Sequence, residues 1–559
     1  MTNKEIAKHF TFLADLMELH KENSFKIRSY QNAYITLRKI DTPLTEMSDA
    51  AIAEVKGVGK AIAEKIRELL DSGKMTTLEK YKDITPVGVQ EMLQIPGFGP
   101  KKIFSIWKDL EVDNVGELYY ACIENRLIQL HGFGLKTQED LKKKIEYFQK
   151  SRNKFRFGDV ENEALMIFGE VKKYFAESVV EFTGASRRLD PILERIEIII
   201  ANTDSIEAFF DGEKFIFSKQ IENAFLGHTA DGLPFTLYQV APEEFGSKQF
   251  RYSSSKAFIE RFLQKAKATD FKGLATEEAV FEKAQIPFIA PEQREDIHED
   301  LDKIANLNLI QLTDIKGVVH NHSTDSDGLH SVEEMAQAAQ KLGYEYLVMS
   351  DHSQAAFYAN GLNTERFLAQ MKHIDELNLK NPSFKIFKSI ECDILYDGRL
   401  DMTDELLSKF DLVIASVHTI LKMDEAKATE RLLKAIENPH TTILGHPTGR
   451  LLLSRAGYPI DHKKIIDACA ANNVTLELNA SPYRLDLDWT WIPYAMEKNV
   501  MISINPDAHS REGIRDIRYG VMAARKGGLT ANMCLNTMQV ADFERFVMNR
   551  KSKIESREN

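Results

Sequence analysis

Beyond residue 315 the chain alternates short apolar runs with amphipathic stretches of helical spacing, and each run leads to a polar side chain. The runs are Gly317-Val318-Val319, Tyr346-Leu347-Val348-Met349, Phe387-Lys388-Ser389-Ile390, Leu412-Val413-Ile414-Ala415, Thr442-Ile443-Leu444, Val474-Thr475-Leu476 and Met501-Ile502-Ser503-Ile504. Apolar runs this short between helical segments predict parallel strands in a repeated βα unit. Seven such units predict a barrel whose strand C-termini meet at one mouth. Residues 1–150 predict short amphipathic helices joined by glycine-containing turns. Residues 155–250 mix helices with strands such as Ile196-Glu197-Ile198-Ile199-Ile200, and 255–310 are mostly helical with a loop around Pro287–Pro291. The expected division is 1–80, 81–150, 151–250, 251–310 and 311–559.

Charge sharpens this division. The 559 residues carry 72 Lys+Arg against 84 Asp+Glu, a net −12, which excludes a histone-like basic binder. Residues 1–150 are nearly neutral at +1, so the remainder carries −13, and ten of the 15 histidines fall after residue 310. An acidic segment that collects histidines has the composition of a metal site. Cys122, Cys392, Cys469 and Cys534 lie far apart, which argues against a disulfide framework or a cysteine zinc site. No apolar run approaches the ~18 residues a membrane span needs. The first residues lack the features of a signal or transit peptide, so a cytoplasmic location is expected.

The pattern apolar-x-Gly-apolar-Gly occurs three times, as Val55-Lys56-Gly57-Val58-Gly59, Ile95-Pro96-Gly97-Phe98-Gly99 and Leu130-His131-Gly132-Phe133-Gly134. Glycines at this spacing let backbone approach a ligand, and the N–H groups of the following helix then favour a phosphate. The arrangement predicted is helix-hairpin-helix, which grips nucleic-acid backbone without reading sequence. Gly57, Gly59, Lys60, Gly97, Gly99, Gly132 and Gly134 are the expected DNA-binding positions. The first copy, continuing Lys60-Ala61-Ile62-Ala63-Glu64-Lys65-Ile66, is the fullest match, and the third is the poorest.

Together with Glu22-Asn23-Ser24-Phe25-Lys26-Ile27-Arg28-Ser29-Tyr30, these turns resemble the lyase-like domain and fingers of the DNA polymerase X family. The resemblance puts Lys65 where some members carry a Schiff-base lysine; a phosphate-contacting surface lysine is the competing reading. Family polymerases then read G-S-x-R-R and G-D-x-D, with a third aspartate on a neighbouring strand. Those carboxylates hold two cations. Here the matching residues are Gly184-Ala185-Ser186-Arg187-Arg188 and Glu194-Arg195-Ile196-Glu197, with Thr236 at the third aspartate and Ser253-Ser254-Ser255 at the family's T-G-S turn. Arginine cannot coordinate a cation. The resemblance therefore implies an α+β palm and thumb of polymerase-beta type whose nucleotidyltransferase centre is inactive. Ile286-Pro287-Phe288-Ile289-Ala290-Pro291 resembles the junction after the thumb.

The seven apolar runs lead to His320 and His322 with Asp327, to Asp351-His352, Glu391, His418, His446 and Asn479, and to Asp507 with His509. Imidazole and carboxylate together suit Zn²⁺, Mn²⁺ or Fe²⁺ rather than an all-oxygen cage. This pattern, with Gly445-His446-Pro447-Thr448-Gly449-Arg450 and Asn479-Ala480-Ser481-Pro482-Tyr483-Arg484, resembles the PHP (polymerase and histidinol phosphatase) domain fused to bacterial X-family polymerases, a (β/α)7 barrel. The resemblance implies three divalent metal ions. His320, His322, Glu391 and Asp507 would hold one, and Glu391, His418 and His446 a second. Asp327, His352 and His509 would hold the third. Arg450 and Arg484 are candidates to clamp a phosphate, against the alternative of rim ion pairs. Asp351 either orients a ligand histidine or finishes a strand, and His330, His373, His440 and His462 read as surface or helix residues.

The function expected is a DNA-repair phosphodiesterase, a metal-dependent 3′–5′ exonuclease, with abasic-site cleavage or 3′-end trimming implied by the resemblance. Its expected partner is gapped, recessed or abasic duplex DNA, with no membrane and a monomeric state. The competing readings are an active gap-filling polymerase, a small-molecule phosphatase of the histidinol-phosphate type, and a non-catalytic DNA-binding scaffold.

Overall fold

A computed structural model describes residues 3–150 and 154–558, apart from positions 39, 41, 56, 96, 131 and 269. Lys56, Pro96 and His131 of the three glycine turns therefore lie outside the described residues. The chain divides into two compact units, Met1–Phe148 and Gln149–Asn559.

The first unit is helical throughout its described residues. Its three glycine turns share one geometry. Gly57, Gly97 and Gly132 have φ of +93°, +81° and +84°, a region L side chains rarely adopt. The next residue in each turn, Val58, Phe98 or Phe133, is buried and donates its N–H to Val55, Ile95 or Leu130 at 2.8, 3.2 and 3.1 Å. Helices Lys60–Ser72, Pro100–Asp109 and Leu135–Lys150 start directly after Gly59, Gly99 and Gly134. The poorest sequence match thus folds like the other two, because the shared determinants are the left-handed glycine and the buried apolar anchor. A Cβ on Gly59, Gly99 or Gly134 would meet no atom within 4 Å, so packing does not demand glycine there. The space beside these helix N-termini is open to a ligand.

The second unit contains three sheets, the smallest an antiparallel pairing of Phe155–Arg156 with Ile192–Leu193. Five strands, β1 (Val180–Phe182), β2 (Ile196–Ala201), β3 (Phe215–Ile221), β4 (Ala224–Thr229) and β5 (Pro234–Val240), lie in the order β1-β2-β5-β4-β3. Only the β2–β5 pair is parallel. The helix Phe157–Tyr174 contributes Val160, Ala164, Ile167 and Val171, at helical spacing, to the core shared with Ile196, Ile198 and Ile200.

Seven further strands are all parallel: β6 (Gly317–Val318), β7 (Tyr346–Met349), β8 (Lys385–Asp393), β9 (Leu412–Ser416), β10 (Ile443–Leu444), β11 (Thr475–Asn479) and β12 (Ile502–Asn505). They lie in sequence order and form a nearly closed barrel. Strands β7, β9, β11 and β12 are buried along their whole length, as helix-covered parallel strands must be. Between β6 and β12 the side chain of Asn536 takes the place of strand pairing. Its amide donates to Gly317 O (3.2 Å) and Ile504 O (2.9 Å) and accepts from Ile504 N (2.8 Å).

Buried charges join the five-stranded region to the barrel. The fully buried Lys526 ammonium donates to Arg188 O (2.8 Å), Asp190 (2.7 Å) and Glu295 (2.6 Å). Arg156 donates to Leu452 O (3.3 Å) and lies over the Tyr483 ring (4.4 Å). All four cysteines are buried thiols. Among the described residues, no helix is long and apolar enough to cross a membrane.

Candidate metal centre

The barrel gathers the nine side chains singled out in the sequence at one end. His320 and His322 follow β6, and Asp327 lies on the loop beyond. His352 follows β7, Glu391 is near the end of β8, His418 follows β9, and His446 follows β10. Asp507 and His509 follow β12. Two ligand positions, His320 (φ +65°) and Asp507 (φ +52°), have left-handed backbone. That conformation interlocks the two segments: His322 N donates to Ala508 O (2.9 Å) and Ala508 N to His320 O (3.4 Å). Strain of about 1–3 kcal/mol at each such residue is offset by the surrounding structure.

Glu391 is the hub. Its Oε1 lies 3.2 Å from His320 Nε2, 3.1 Å from His418 Nε2 and 3.0 Å from His446 Nε2. Its Oε2 lies 3.0 Å from His352 Nδ1 and 3.6 Å from His322 Nε2. His322 Nε2 is also 3.0 Å from Asp507 Oδ1, while Asp327 Oδ2 lies 3.6 Å from His352 Nε2 and 3.4 Å from His509 Nε2. Three groups bring their ligand atoms within 4.8 Å of one another: His322, Asp327, His352 and His509; His320, His322 and Glu391; and His352, Glu391 and His418. His322 and His352 each belong to two groups, so the clusters interpenetrate.

The residues fit metal ions. His322 Nδ1, His352 Nδ1 and Glu391 Oε2 are buried and make no hydrogen bond, although two of them lie 3.0 Å apart. Buried polar atoms nearly always have a partner. Electrostatics favours anionic carboxylates at the hub. Burial pushes Glu391 up, but the facing His320, His418 and His352 outweigh it and hold the carboxyl group well below its ordinary value. Asp507 is held well below by His320 and His322 against the same burial. Burial dominates at His352 and brings it down to about 3.

A surrounding layer of residues fixes the imidazoles, and the apolar-run pattern alone does not reveal it. Glu477 Oε2 accepts from His320 Nδ1 (2.6 Å) and from Asn505 (2.8 Å), while Oε1 accepts from His446 N (3.2 Å) and Asn479 (3.1 Å). Asp393 Oδ1 holds His418 Nδ1 at 2.5 Å. The strand period of two was the available signal: Glu477 is two residues before Asn479, and Asp393 two after Glu391. Asp351 orients no ligand histidine. It accepts from Ser323 N and Oγ (both 2.7 Å), Ser326 Oγ and Gln370 (2.6 Å), pinning the loop that carries Asp327. His440 is buried rather than superficial.

The arginines differ. Arg450 donates to Arg484 O (3.0 Å), Leu485 O and Asp488, so it braces the loop after β11 rather than facing the metal site. Arg484 is buried, with Nε 3.8 Å from Asp507 Oδ2, beside the ligands. Lys65 is half-buried on the helix Lys60–Ser72, one turn from Glu68.

Comparison with known proteins matches residues 1–75 to a helix-hairpin-helix domain and residues 319–481 to the PHP domain. The chain is 34% identical to the DNA polymerase/3′-5′ exonuclease PolX of Bacillus subtilis (strain 168), over 98% of this chain and 99% of that protein. This chain belongs to the bacterial DNA polymerase X family. Its PHP barrel alone also resembles probable phosphatases. One from Thermoanaerobacter sp. (strain X514) is 27% identical over 42% of this chain and 95% of its own length. One from Acetivibrio thermocellus is 25% identical over 42% of this chain and 96% of its own length.

In the stretch that resembles the family's polymerase site, Glu197 is directly paired with Thr236 across β2 and β5, and Arg195 Nη1 reaches to 3.5 Å from Thr236 Oγ1. The Glu197 carboxylate accepts from Ala185 N (2.9 Å) and Tyr238 OH (3.2 Å), and burial raises its pKa despite these bonds. Arg187 is paired bidentately with Glu277 (2.9 and 2.8 Å), and Arg188 binds Asp190 (2.8 Å) and Glu295 (3.1 Å).

Proposed function

We propose that the chain is a metal-dependent DNA phosphodiesterase that removes nucleotides from 3′ ends during repair in the cytoplasm, with a nucleotidyltransferase centre that no longer works. The observation that carries this reading is the gathering of nine imidazole and carboxylate side chains at one end of the barrel, five of them histidines within 3.6 Å of the Glu391 carboxylate, with buried His322 Nδ1, His352 Nδ1 and Glu391 Oε2 that make no hydrogen bond. Three divalent ions of the Mn²⁺, Zn²⁺ or Fe²⁺ type suit this donor set. His320, His322, Glu391 and Asp507 would hold one, Glu391, His418 and His446 another, and Asp327, His352 and His509 the third. When bound, such ions supply a hydrolytic water at neutral pH and neutralise phosphate charge. The protein's own part is orientation. Glu477 and Asp393 fix the His320 and His418 rings, and Asp351 holds the Asp327 loop. Arg484, whose Nε lies 3.8 Å from Asp507 Oδ2, would bind a phosphate oxygen there.

Duplex DNA with a gap, a recessed end or an abasic site would be delivered by the open glycine turns at Gly57, Gly59, Lys60, Gly97, Gly99, Gly132 and Gly134, with Lys65 nearby as a phosphate contact or lyase residue. The presence of three such turns favours DNA over a small phosphate ester.

The test offers purified protein with Mn²⁺ a 3′-recessed duplex, an abasic duplex and histidinol phosphate. Release of 3′ nucleotides that disappears in the His320→Ala/His322→Ala double variant is expected. Faster turnover of histidinol phosphate than of DNA, or full nuclease activity in the double variant, overturns the reading.

A further inference from the structure

The loop after β7 leaves the metal cluster and at once exposes an aromatic ring. Phe357 is 79% exposed, five residues after His352. Its ring stands 6.0 Å from that of Tyr358, which lies 6.4 Å from the rings of both His352 and His418. An unbroken line of rings therefore runs from two ligand imidazoles out to solvent. Beside His418, Ile420 is 51% exposed and has φ +54°. For a β-branched residue this backbone is a true outlier, and strain of this kind clusters at ligand-binding sites.

The platform is fixed in place. Asn360, three residues beyond Phe357, donates to Asp325 O (3.4 Å) and Ser326 O (3.3 Å) on the loop that carries Asp327. Arg366 donates to Asn360 O (2.8 Å), Gly361 O (3.2 Å) and Asp325 O. Ser353 N bonds Glu391 O at 2.9 Å. An exposed phenylalanine on a mobile tip would be an ordinary surface residue. This one is tied on both sides to the segments that hold ligands, and nothing in the apolar core accounts for it.

From this geometry we propose that Phe357, continued inward by Tyr358, is the stacking surface for an unpaired nucleobase at the 3′ end of a DNA strand. Ile420 forms the neighbouring wall. The proposal rests on the phosphodiesterase reading and makes it narrower. Metal ions and Arg484 recognise phosphate, which every nucleotide shares, whereas an aromatic face recognises the presence of a base and tolerates any of the four. A base can reach Phe357 only when it has left its duplex partner, so the rim selects single-stranded ends. A 3′ residue without a base makes no stack.

The experiment compares wild type with Phe357→Ala on a single-stranded oligonucleotide and on the same strand ending in tetrahydrofuran (abasic) residues. For F357A, kcat/KM on the base-bearing strand should fall about tenfold, through KM, the loss expected of one base–aromatic stack. Wild type should show a similar deficit on the abasic end, and F357A should lose nothing more there. Phe357→Trp should restore the base-bearing rate and Phe357→Leu should not. Leu379→Ala, exposed at the far end of the helix Thr364–Lys380 from Arg366, is the unchanged control. Equal losses on both strands, or none on either, overturn the proposal. So does a change in self-association of F357A by sedimentation with unaltered turnover, which would assign the surface to a second copy. A 3′-terminal 2-aminopurine, whose emission reports stacking without turnover, separates the two readings. If wild type quenches it and F357A does not while no hydrolysis occurs, the rim stands and the phosphodiesterase reading falls.

Discussion

Arg195 directs its guanidinium at Thr236 Oγ1, 3.5 Å away, and by the resemblance drawn from the sequence the two residues stand where family polymerases place aspartates. Only Glu197 remains there, and it is spent on Ala185 N and Tyr238 OH. On the proposed reading, one engaged carboxylate beside a permanent positive charge does not hold the two cations that nucleotidyl transfer needs. Primer extension on gapped DNA with all four nucleotides is therefore expected to give no added product. The assay belongs in the His320→Ala/His322→Ala background, where the nuclease cannot erase an addition. Extension above the no-enzyme level would show that the centre still works.

Glu477 ties together His320, Asn505, Asn479 and the backbone of His446 and is not one of the nine candidate ligands. Carboxylates that orient metal-ligating histidines typically govern affinity by about 10–100-fold. Glu477→Gln keeps the volume but exchanges an anionic acceptor for a neutral amide. Manganese affinity by titration calorimetry should fall by about that factor, with kcat/KM falling in parallel at limiting metal. An unchanged affinity would remove Glu477 from the centre.

The barrel and the gathering of its nine candidate side chains were legible because two periodicities reinforce each other: strands repeat with helices, and a donor follows nearly every strand. Chemistry at the tips needed no long-range information. The supporting layer was harder to read, since Glu477 and Asp393 are acids inside apolar strands, and their partners are 157 and 25 residues away. Arg450 illustrates the converse. Its sequence position beside His446 suggested phosphate, but a loop that meets it only in three dimensions engages its guanidinium. The third glycine turn looked weakest because the lysine after the first turn drew the comparison, whereas φ at Gly132 and the burial of Phe133 decide the fold.

Between β6 and β12 themselves the seam is held by one side chain, beside the backbone bonds that join His320 and His322 to Ala508. Asn536 is fully buried and satisfies Gly317 O, Ile504 O and Ile504 N, the backbone groups left open between β6 and β12. Replacing it with alanine strands three buried backbone groups, at about 1–3 kcal/mol each before water enters. Asn536→Ala should lower the free energy of unfolding, read by chemical denaturation, by about 3 kcal/mol, the lower end of that sum because water can enter. It should also weaken metal binding, because His320 and Asp507 sit on the two edges that Asn536 joins. A variant with wild-type stability would mean that the seam is held elsewhere.

Asp516 gives the fold a pH dependence of its own, away from the ligands. It lies at the start of the helix Ile517–Lys526, and burial raises its pKa to about 7, with Glu161 adding to the rise and Arg518 opposing it. In the unfolded chain the same carboxyl group ionises near ~3.9. Between these values the folded protein keeps a proton that the unfolded chain has released, so stability must decrease as pH rises from about 4 to about 7. Below the unfolded value the group contributes no penalty. Because the side chain keeps some contact with solvent, the loss is on the order of 2 kcal/mol rather than the full difference. Asp516→Asn cannot ionise and escapes it. Chemical denaturation should find this variant more stable than wild type by about that amount at pH 8 and equal to it at pH 4. A stabilisation of the same size at both pH values would assign the effect to packing instead of the buried charge.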